Sequence, residues 1–366
     1  MQHDRKTVLI LTDYPKLQQV GKFTRHPTGF GIVGDSIIKA VQNAISDNTT
    51  IIVLCWNMIQ ATEDIIGDSN IKYLSLKYGD RNFEFISKIK NMYKPELIIF
   101  HNDLDYFSLY NIKAQDSYTH NNVTIWLGPV DTNKRTKEFD MFNLNPDREG
   151  NIFIPYTEHG RDILDNSICN IPMVYKLGPT PGMIKYNNEI KKNNSFLTVG
   201  AARTKKRMDH IVASYLEYFK THKDSTLTIK TNHDVMSENI LKYNLKNGIN
   251  VITEDYSLEQ MSKLYATHET YISATANEGW GIPLSDATHY NMNIIAPDFK
   301  VHDESTGGIY SRIDYMNFNI FDGWRSIPVH NMKQLSELME IKKPNDLKIN
   351  HWDESMQQLT KLLISL

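Results

Sequence analysis

The sequence predicts an α/β protein made of two doubly wound, Rossmann-like domains that face a cleft. Its 366 residues exceed one ordinary domain and suit two of about 150–200 residues each. Short runs of aliphatic and β-branched residues alternate with amphipathic stretches, which is typical of parallel sheets covered by helices on both faces. The alternation stops once, at a segment rich in Pro, Gly and polar residues, and then starts again.

The first half of the chain contains the predicted strands of one parallel sheet. Most of them are continuous apolar runs, as expected when both faces of a sheet are buried. The predicted covering helices are 36–45 and 83–93, and Pro95 interrupts the chain before the third strand. The predicted strands are 7–12, 51–56, 96–101, 123–128, 151–156 and 171–176.

A change of composition separates the two predicted domains. Residues 179–194 contain Pro and Gly followed by a polar run, which predicts an interdomain linker. We therefore assign residues 1–178 to an N-terminal domain and residues 195–340 to a C-terminal domain. Residues 341–366 are predicted to form a helical tail. In one of the arrangements that the sequence leaves open, this tail crosses back to the first domain.

Strand and helix patterns resume after the linker. Ser257 is predicted to cap a helix, with Gln260 at the capping-box position. Repeated strand–helix units imply a second parallel sheet, because such crossovers connect parallel strands. The predicted strands are 195–201, 226–231, 250–253, 270–275 and 293–297, and the predicted helices include 209–221 and 356–363.

Composition excludes several classes of function. The formal net charge is −3, so no global basic field favours nonspecific nucleic-acid binding. The two cysteines, Cys55 and Cys169, have neither metal-ligand spacing nor a disulfide framework. The apolar run that follows the first residues is too short for a signal-peptide core, and no run reaches membrane-spanning length. We therefore expect a soluble, cytoplasmic protein.

The densest motif reads NEGWGIPLSDA and lies between a predicted strand and a predicted helix. Gly279 and Gly281 allow backbone amides to approach a ligand, and Pro283 suits a first helical turn. A helix N-terminus offers unpaired N–H groups and partial positive charge, which favour a diphosphate. Glu278 lies at the start of this segment and Asp286 about two turns later. Carboxylates at such positions can accept hydrogen bonds from sugar hydroxyls.

At these residues the sequence resembles the retaining GT-B glycosyltransferases of family 4. Their donor motif contains two Glu residues separated by seven others. Glu278 matches the first acid and Asp286 replaces the second. The resemblance implies that the first acid contacts the donor sugar and that the second holds the ribose hydroxyls. It also places Trp280 and Ile282, both conservative changes, in the donor site together with the two glycines.

A basic loop after the predicted strand that ends at Gly200 carries the second motif. Family 4 enzymes have Gly-Arg here and a Lys about five residues later, and these cations bind the donor diphosphate. Lys206 stands at the Lys position, whereas Ala201 stands at the Arg position. Arg203 is the alternative source of a guanidinium. Bidentate contact with phosphate is geometrically demanding, so the departure alters the expected donor geometry.

A third motif, TGFGIVG, fits G-x-G-x-x-G, which alone is weak support for a dinucleotide site. Gly29 lies too far beyond the first predicted strand, and the second predicted strand is not followed by an acid, so we reject NAD. In the family resemblance, Gly29, Gly31 and Gly34 fit a loop that closes over donor phosphates. The alternative is a flexible surface loop.

A His at a predicted strand end is the fourth candidate. His101 follows a Lys-Pro-Glu segment, where family 4 members often carry a cleft His. If the reaction inverted the anomeric centre, a general base would be needed, and His101 or Asp103 would be the candidates. No convincing metal motif is present in the sequence.

The resemblance implies an enzyme that moves a hexose-type sugar from a UDP-, GDP- or ADP-sugar to a hydroxyl acceptor, such as a carbohydrate or glycoconjugate. Retention is implied, with neither a metal nor another cofactor. Lys206, Arg203 and the glycine amides would stabilise the leaving diphosphate. Glu278 would orient the sugar, and His101 would be the catalytic group of the N-terminal domain.

Three other interpretations stay open at the level of sequence. A sugar-nucleotide epimerase shares the two-domain fold. A degenerate, non-catalytic GT-B subunit would explain the departures at Ala201 and Asp286. A glycosyltransferase acting on modified DNA bases is less favoured, because the chain carries net negative charge.

Overall fold

The chain divides into two units. The first comprises Met1–Lys176 and His351–Leu366, and the second comprises Leu177–Asn350. Residues 179–194, predicted as a linker, fall within the second unit. The computed structural model describes residues 6–16, 18–20, 23–25, 28–45, 48–56, 70–75, 83–102, 123–130, 151–164, 170–186, 191–201, 203–231, 247–319, 326–344 and 347–366.

The first unit contains a parallel sheet with helices. Its elements in chain order are β1 (Thr7–Asp13), β2 (Gln18–Val20), β3 (Phe23–Arg25), α1 (Gly29–Ala44), β4 (Thr50–Trp56), β5 (Ile71–Ser75), α2 (Phe83–Tyr93), β6 (Leu97–His101), β7 (Val123–Gly128), β8 (Asn151–Pro155) and α3 (Glu158–Leu164). Six strands form the sheet in the order β5-β4-β1-β6-β7-β8, with all neighbours parallel. β2 and β3 form a separate antiparallel hairpin. The predicted parallel sheet is therefore present.

Burial explains why the central strands are continuous apolar runs. Leu9, Ile10 and Leu11 of β1 are at most 1% exposed, because helices cover both faces of the sheet. On the neighbouring strands, Phe100 stacks on Trp126 with 4.3 Å between the ring centroids. The continuous apolar runs in the sequence therefore correspond to the buried central strands of the sheet.

The first helix begins earlier than predicted. α1 starts at Gly29, about two turns before its predicted start, so Gly29 and Gly31 lie in its first turn and not in a loop. The Thr28 side chain caps this turn by accepting a hydrogen bond from the Gly31 amide at 3.1 Å. A Cβ at Gly34 would lie 2.5 Å from Oγ1 of Thr12. Gly34 is therefore needed for the close packing of α1 on β1.

The predicted strand 171–176 is not a strand. Its backbone is irregular, and the Tyr175 amide donates to the Pro155 carbonyl at 2.8 Å. Met173, Val174 and Tyr175 are buried. The apolar run therefore reflects packing in the core and not a place in the sheet.

The second unit repeats the parallel arrangement. Its elements are β9 (Lys192–Val199), a 3₁₀ turn (Thr204–Lys206), α4 (Met208–Tyr218), β10 (Thr226–Lys230), β11 (Ile249–Ile252), α5 (Leu258–Thr267), β12 (His268–Ile272), α6 (Ile282–His289), β13 (Asn293–Pro297), α7 (Lys300–Thr306), β14 (Ser311–Ile313), β15 (Tyr315–Asn319), β16 (Ser326–His330) and α8 (Met332–Leu338). The sheet order is β11-β10-β9-β12-β13-β14, again parallel. β15 and β16 form an antiparallel hairpin.

Local sequence signals in this unit are confirmed. The Ser257 side chain accepts from the Gln260 amide at 3.1 Å, and the Gln260 side chain accepts from the Ser257 amide at 2.8 Å. This is the predicted capping box at the start of α5.

β9 and β12 are neighbours in the sheet. The loops at their carboxyl ends, which carry the two strongest motifs, therefore lie side by side.

The last helix, α9 (Trp352–Ser365), belongs to the first unit. Its Thr360 Oγ1 donates to the Ala40 carbonyl of α1 at 3.3 Å, and Ser355 Oγ donates to the Lys176 carbonyl at 2.7 Å. The tail therefore crosses back to the first unit, as one of the predicted arrangements has it. Within the described residues, no helix is both long enough and apolar enough to cross a bilayer.

Candidate functional site

The loop after β9 presents Lys206. This loop passes through the 3₁₀ turn Thr204–Lys206 and reaches α4 through Arg207, which has left-handed backbone angles of φ 46° and ψ 40°. Gly200 lies against the Lys206 side chain, since a Cβ there would lie 3.7 Å from Lys206 Cε. The turn and Gly200 together set the direction of the lysine stem.

The loop after β12 is tied directly to the Lys206 turn. The Ala276 amide donates to the Lys205 carbonyl at 2.6 Å. Thr275 Oγ1 lies 3.4 Å from the same carbonyl and 2.8 Å from the Asn277 carbonyl, both acceptors of its hydroxyl. These contacts connect the two motif loops through their backbones, so that Glu278 comes next to Lys206.

Lys206 and Glu278 form an ion pair. Lys206 Nζ donates to Glu278 Oε2, and the two side chains are 21% and 20% exposed. A partly buried pair of this kind sits in a lower effective dielectric than an exposed one, so each charge acts strongly on its partner or on a ligand. The pair borders a small concavity. Its lining is Thr198, Val199, Lys206, Met208, Tyr271, Ser273, Ala274, Glu278, Gly281, Pro283 and Leu284.

The N-terminus of α6 borders the same concavity. Gly281 precedes the helix with a left-handed φ of +85°, and a Cβ there would lie 3.1 Å from Leu284 Cδ1 and 3.3 Å from Glu278 Cγ. Pro283 occupies the first turn, where its missing N–H removes no hydrogen bond. The helix N-terminus adds positive potential beside Lys206, which suits an anionic ligand.

Two residues of the donor motif are placed in the core. Trp280 is 2% exposed, and its Nε1 donates to Ser285 Oγ at 2.9 Å. Asp286 is 4% exposed. Its two carboxylate oxygens accept from the Thr180 amide at 2.6 Å and from Thr180 Oγ1 at 3.1 Å. Burial raises the pKa of Asp286 to about 7, partly opposed by the hydrogen bonds from Thr180.

The other predicted donor residues differ in exposure. Gly279 is buried and Ile282 is half-buried, whereas the Arg203 side chain is exposed. The lining of the concavity includes Gly281 and Lys206 but not Arg203. The structure therefore brings Lys206, Glu278 and the start of α6 together, and leaves Arg203 outside this group.

His101 belongs to a buried cluster in the first unit. It is 0% exposed, and its Nδ1 lies 2.7 Å from Thr12 Oγ1. Its Nε2 is hydrogen-bonded to the Tyr156 hydroxyl. Burial lowers the pKa of His101 to about 3, so the imidazole is neutral at pH 7. The strand end that carries His101 thus directs it into the core and not to an exposed edge.

The start of α1 carries a second group of polar contacts in the first unit. Thr28 Oγ1 donates to Asp13 Oδ2 at 2.5 Å. The same hydroxyl caps the helix, so Asp13, Thr28 and the Gly31 amide form one connected set. Two residues considered from the sequence, Asp103 and Cys169, lie outside the described residues.

Sequence reasoning missed the side chains behind the Lys206 turn. Arg207 Nη2 contacts both Asp209 Oδ2, at 2.9 Å, and His210 Nε2, while His210 Nδ1 lies 3.0 Å from His330 Nδ1. His210 and His330 are 120 residues apart in sequence, and no motif links them. In the described part of the chain, no group of three or more His, Cys, Asp or Glu side chains could hold a metal ion.

Comparisons with known proteins agree with this architecture. Residues 183–306 match the family model described as glycosyl transferases group 1. No curated protein sequence matches the chain significantly. The sucrose-phosphate synthase from Thermosynechococcus elongatus has a TM-score of 0.63 at 10% identity, over 99% of this chain and 94% of that one.

Two further solved structures are similar. For the α,α-trehalose 6-phosphate synthase from Burkholderia multivorans, the TM-score is 0.58 at 8% identity, over 98% of this chain and 95% of that one. For the pneumococcal O-GlcNAc transferase solved with UDP and GlcNAc, it is 0.50 at 14% identity, over 77% of this chain. This chain spans 58% of that transferase. At such identities the similarity shows the fold.

The family match covers the donor motif, α6 and the chain up to the end of α7. The two parallel sheets of this chain correspond to the Rossmann-like domains of the similar structures. Residues 183–306 thus match the family model of the group 1 glycosyl transferases, and the chain has the GT-B fold of two Rossmann-like domains that the similar structures share.

Proposed function

We propose that this glycosyltransferase moves a hexose-type sugar from a nucleotide-diphosphate-sugar to a hydroxyl acceptor, with retention of anomeric configuration and without a metal or other cofactor. The observation that carries the proposal is the Lys206–Glu278 ion pair at the start of α6. A cation, a carboxylate and a helix N-terminus meet there, which is the set that a diphosphate-linked sugar requires.

The donor diphosphate would take the place of Glu278 on Lys206. Negative charge develops on the diphosphate as the glycosidic bond breaks. Lys206 and the N-terminus of α6 are held in place to meet it, so little reorganisation is needed. Glu278, released from the lysine, would accept hydrogen bonds from the donor sugar. Arg203 is exposed and lies outside this group, so the proposal assigns it no contact with the diphosphate.

Asp286 receives a supporting role in this proposal. Both of its carboxylate oxygens are occupied by Thr180, and the side chain is 4% exposed. It therefore holds the Thr180 turn to α6 and acts on the nucleotide through that turn. Trp280 supports α6 in the same manner, through Ser285.

The burial and the hydrogen bonds of His101 favour retention over inversion of the anomeric configuration. An inverting enzyme needs a base that reaches the acceptor hydroxyl. His101 is fully buried, is hydrogen-bonded on both ring nitrogens, and has a pKa lowered to about 3. It is therefore a poor base, and deprotonation on the donor side, by the leaving phosphate, is the mechanism we propose.

UDP is the first nucleotide to test. One similar structure was solved with UDP and GlcNAc, and an α,α-trehalose-phosphate synthase with a TM-score of 0.58 is described as UDP-forming. GDP- and ADP-sugars are the alternatives.

The proposed reaction is tested with UDP-, GDP- and ADP-hexoses, with and without an array of carbohydrate acceptors, in EDTA and in Mg²⁺. We expect release of one nucleoside diphosphate that EDTA does not reduce. We also expect an NMR coupling constant at the anomeric carbon that matches the donor. An inverted product would contradict the proposed mechanism. Donor isomerisation without acceptor would indicate an epimerase, and absence of any turnover by the wild type together with absence of binding would indicate a non-catalytic subunit.

A further inference from the structure

The residue that follows Lys206 is held in a backbone conformation that it does not favour. Arg207 has φ 46° and ψ 40° between the 3₁₀ turn and α4. Only glycine adopts this left-handed region without a steric cost. A non-glycine residue remains there only when its surroundings fix it. Contacts of the side chain must therefore stabilise the left-handed conformation of Arg207.

The Arg207 side chain makes such contacts. Its guanidinium donates to Asp209 Oδ2 at 2.9 Å and to His210 Nε2. His210 Nδ1 is in turn 3.0 Å from His330 Nδ1, at the end of β16. The two imidazoles are 7% and 2% exposed and meet edge to face, with 5.3 Å between the ring centroids. Arg207 is thus joined to two buried rings on different elements.

Hydrogen-bonding chemistry fixes the tautomer of each ring. A guanidinium only donates, so His210 Nε2 must accept and His210 Nδ1 must carry the proton. That proton is donated to His330 Nδ1, which leaves the His330 proton on Nε2. Burial, together with the charge of Arg207, lowers the pKa of both rings, that of His330 to about 3. Both rings are therefore neutral at pH 7, as this chain of hydrogen bonds requires.

The turn connects this network to Lys206. The Arg207 amide donates to the Thr204 carbonyl at 3.2 Å, and the Lys206 amide donates to the Arg203 carbonyl at 2.8 Å. A change of the Arg207 backbone to a right-handed or extended conformation would rotate these peptide planes. The Lys206 side chain would then leave Glu278.

We propose that Arg207, His210 and His330 are positioning residues for Lys206, which hold the left-handed turn that presents this lysine to the donor diphosphate. The proposal rests on the proposed function only in taking the diphosphate as the ligand of Lys206. It assigns to the three residues no contact with the ligand.

Two substitutions at one position separate this role from direct ligand contact. Arg207→Gly removes the guanidinium but keeps free access to φ 46°, whereas Arg207→Ala removes the guanidinium and keeps the steric cost. We expect UDP affinity close to the wild type for Arg207→Gly, and about tenfold weaker for Arg207→Ala. Equal losses in both variants would show that the guanidinium contacts the diphosphate itself and would overturn the proposal. Undiminished affinity in both would overturn it as well.

A second readout works without nucleotide. We expect Lys206, while it is paired with Glu278, to react slowly with acetic anhydride, and mass spectrometry measures the acetylation rate at this lysine. We expect wild-type rates in Arg207→Gly and faster acetylation in Arg207→Ala, with far-ultraviolet circular dichroism confirming that both are folded. Equal rates in all three proteins would refute the positioning role. If the wild type bound no nucleotide while these rates still differed, the proposed function would fail and the positioning role would stand.

Discussion

At the scale of single residues, Gly34 connects the first helix to the polar cluster around His101. A Cβ at this position would lie 2.5 Å from Thr12 Oγ1, and the same hydroxyl is 2.7 Å from His101 Nδ1. α1 and β1 can approach this closely only because the glycine has no side chain. Packing on β1 thus explains the last glycine of the TGFGIVG motif.

Gly34→Ala should therefore destabilise the first unit. Overpacking a buried contact of this kind costs about 1–3 kcal/mol, and urea unfolding followed by tryptophan fluorescence measures it. Gly29→Ala is the matched control, because Gly29 is exposed at the start of the same helix. A loss in the control equal to that in Gly34→Ala would argue against the packing explanation.

Asp286 gives a prediction for pH. Its pKa is raised from 3.8 to about 7, so the folded protein binds a proton below pH 7 that the unfolded chain binds only near pH 4. The contribution of this group to stability therefore rises as the pH falls from 8 to 4. The shift sets an upper limit of about 4 kcal/mol on this change.

Asp286→Asn removes this titration and keeps the shape of the side chain. We expect the variant to be more stable than the wild type at pH 8, and expect that advantage to shrink steadily as the pH is lowered to 5. The free energy of unfolding in urea, measured for both proteins across this range, provides the comparison. If the difference in free energy of unfolding between the two proteins did not depend on pH, the Asp286 carboxylate would not be buried in its charged form at pH 8.

At the scale of elements, continuous apolar runs predicted the sheets well. The strand at 123–128 and the strand at 293–297 have the predicted bounds. The strand prediction at 171–176 was wrong because a buried irregular segment needs the same apolar residues as a buried strand. The start of α1 was missed because glycines in a helix resemble a loop when their packing partner on β1 is unknown.

The start of α6 yields a prediction about the donor site. Gly281 has φ +85°, and a Cβ there would lie 3.3 Å from Glu278 Cγ. Gly281→Ala should lower the free energy of unfolding by about 1–2 kcal/mol, the cost of a left-handed alanine. It should also weaken nucleotide binding, since it disturbs Glu278 and the N-terminus of the helix.

Gly308→Ala is the matched control for this substitution. Gly308 has φ +76°, but its surroundings are more open, and the nearest atom to an added Cβ is Asp303 Oδ1 at 3.8 Å. The control should lose similar stability and keep its nucleotide affinity, as measured by calorimetry. Equal affinity losses would show that general destabilisation, and not the geometry at α6, weakens binding.

At the scale of the whole molecule, the resemblance of two short motifs anticipated the fold and the family domain. Lys206 and Glu278 meet because their loops leave neighbouring parallel strands. The burial of Asp286 and His101 was not predictable, since a sequence shows which residue follows a strand but not which way its side chain turns. The contact of His210 with His330 joins distant segments and left no local signal.

Binding of a nucleotide-sugar diphosphate by Lys206 and the start of α6 underlies the whole proposed function. Isothermal titration of UDP, GDP and ADP into the wild type and Lys206→Ala, in EDTA, measures this binding, with Lys205→Ala as the neighbouring control. We predict that one nucleotide binds the wild type, that Lys206→Ala weakens binding by about tenfold or more, and that Lys205→Ala has a smaller effect. Equal affinity of the wild type and Lys206→Ala, or no binding of any nucleotide to the wild type, would contradict the proposed donor site.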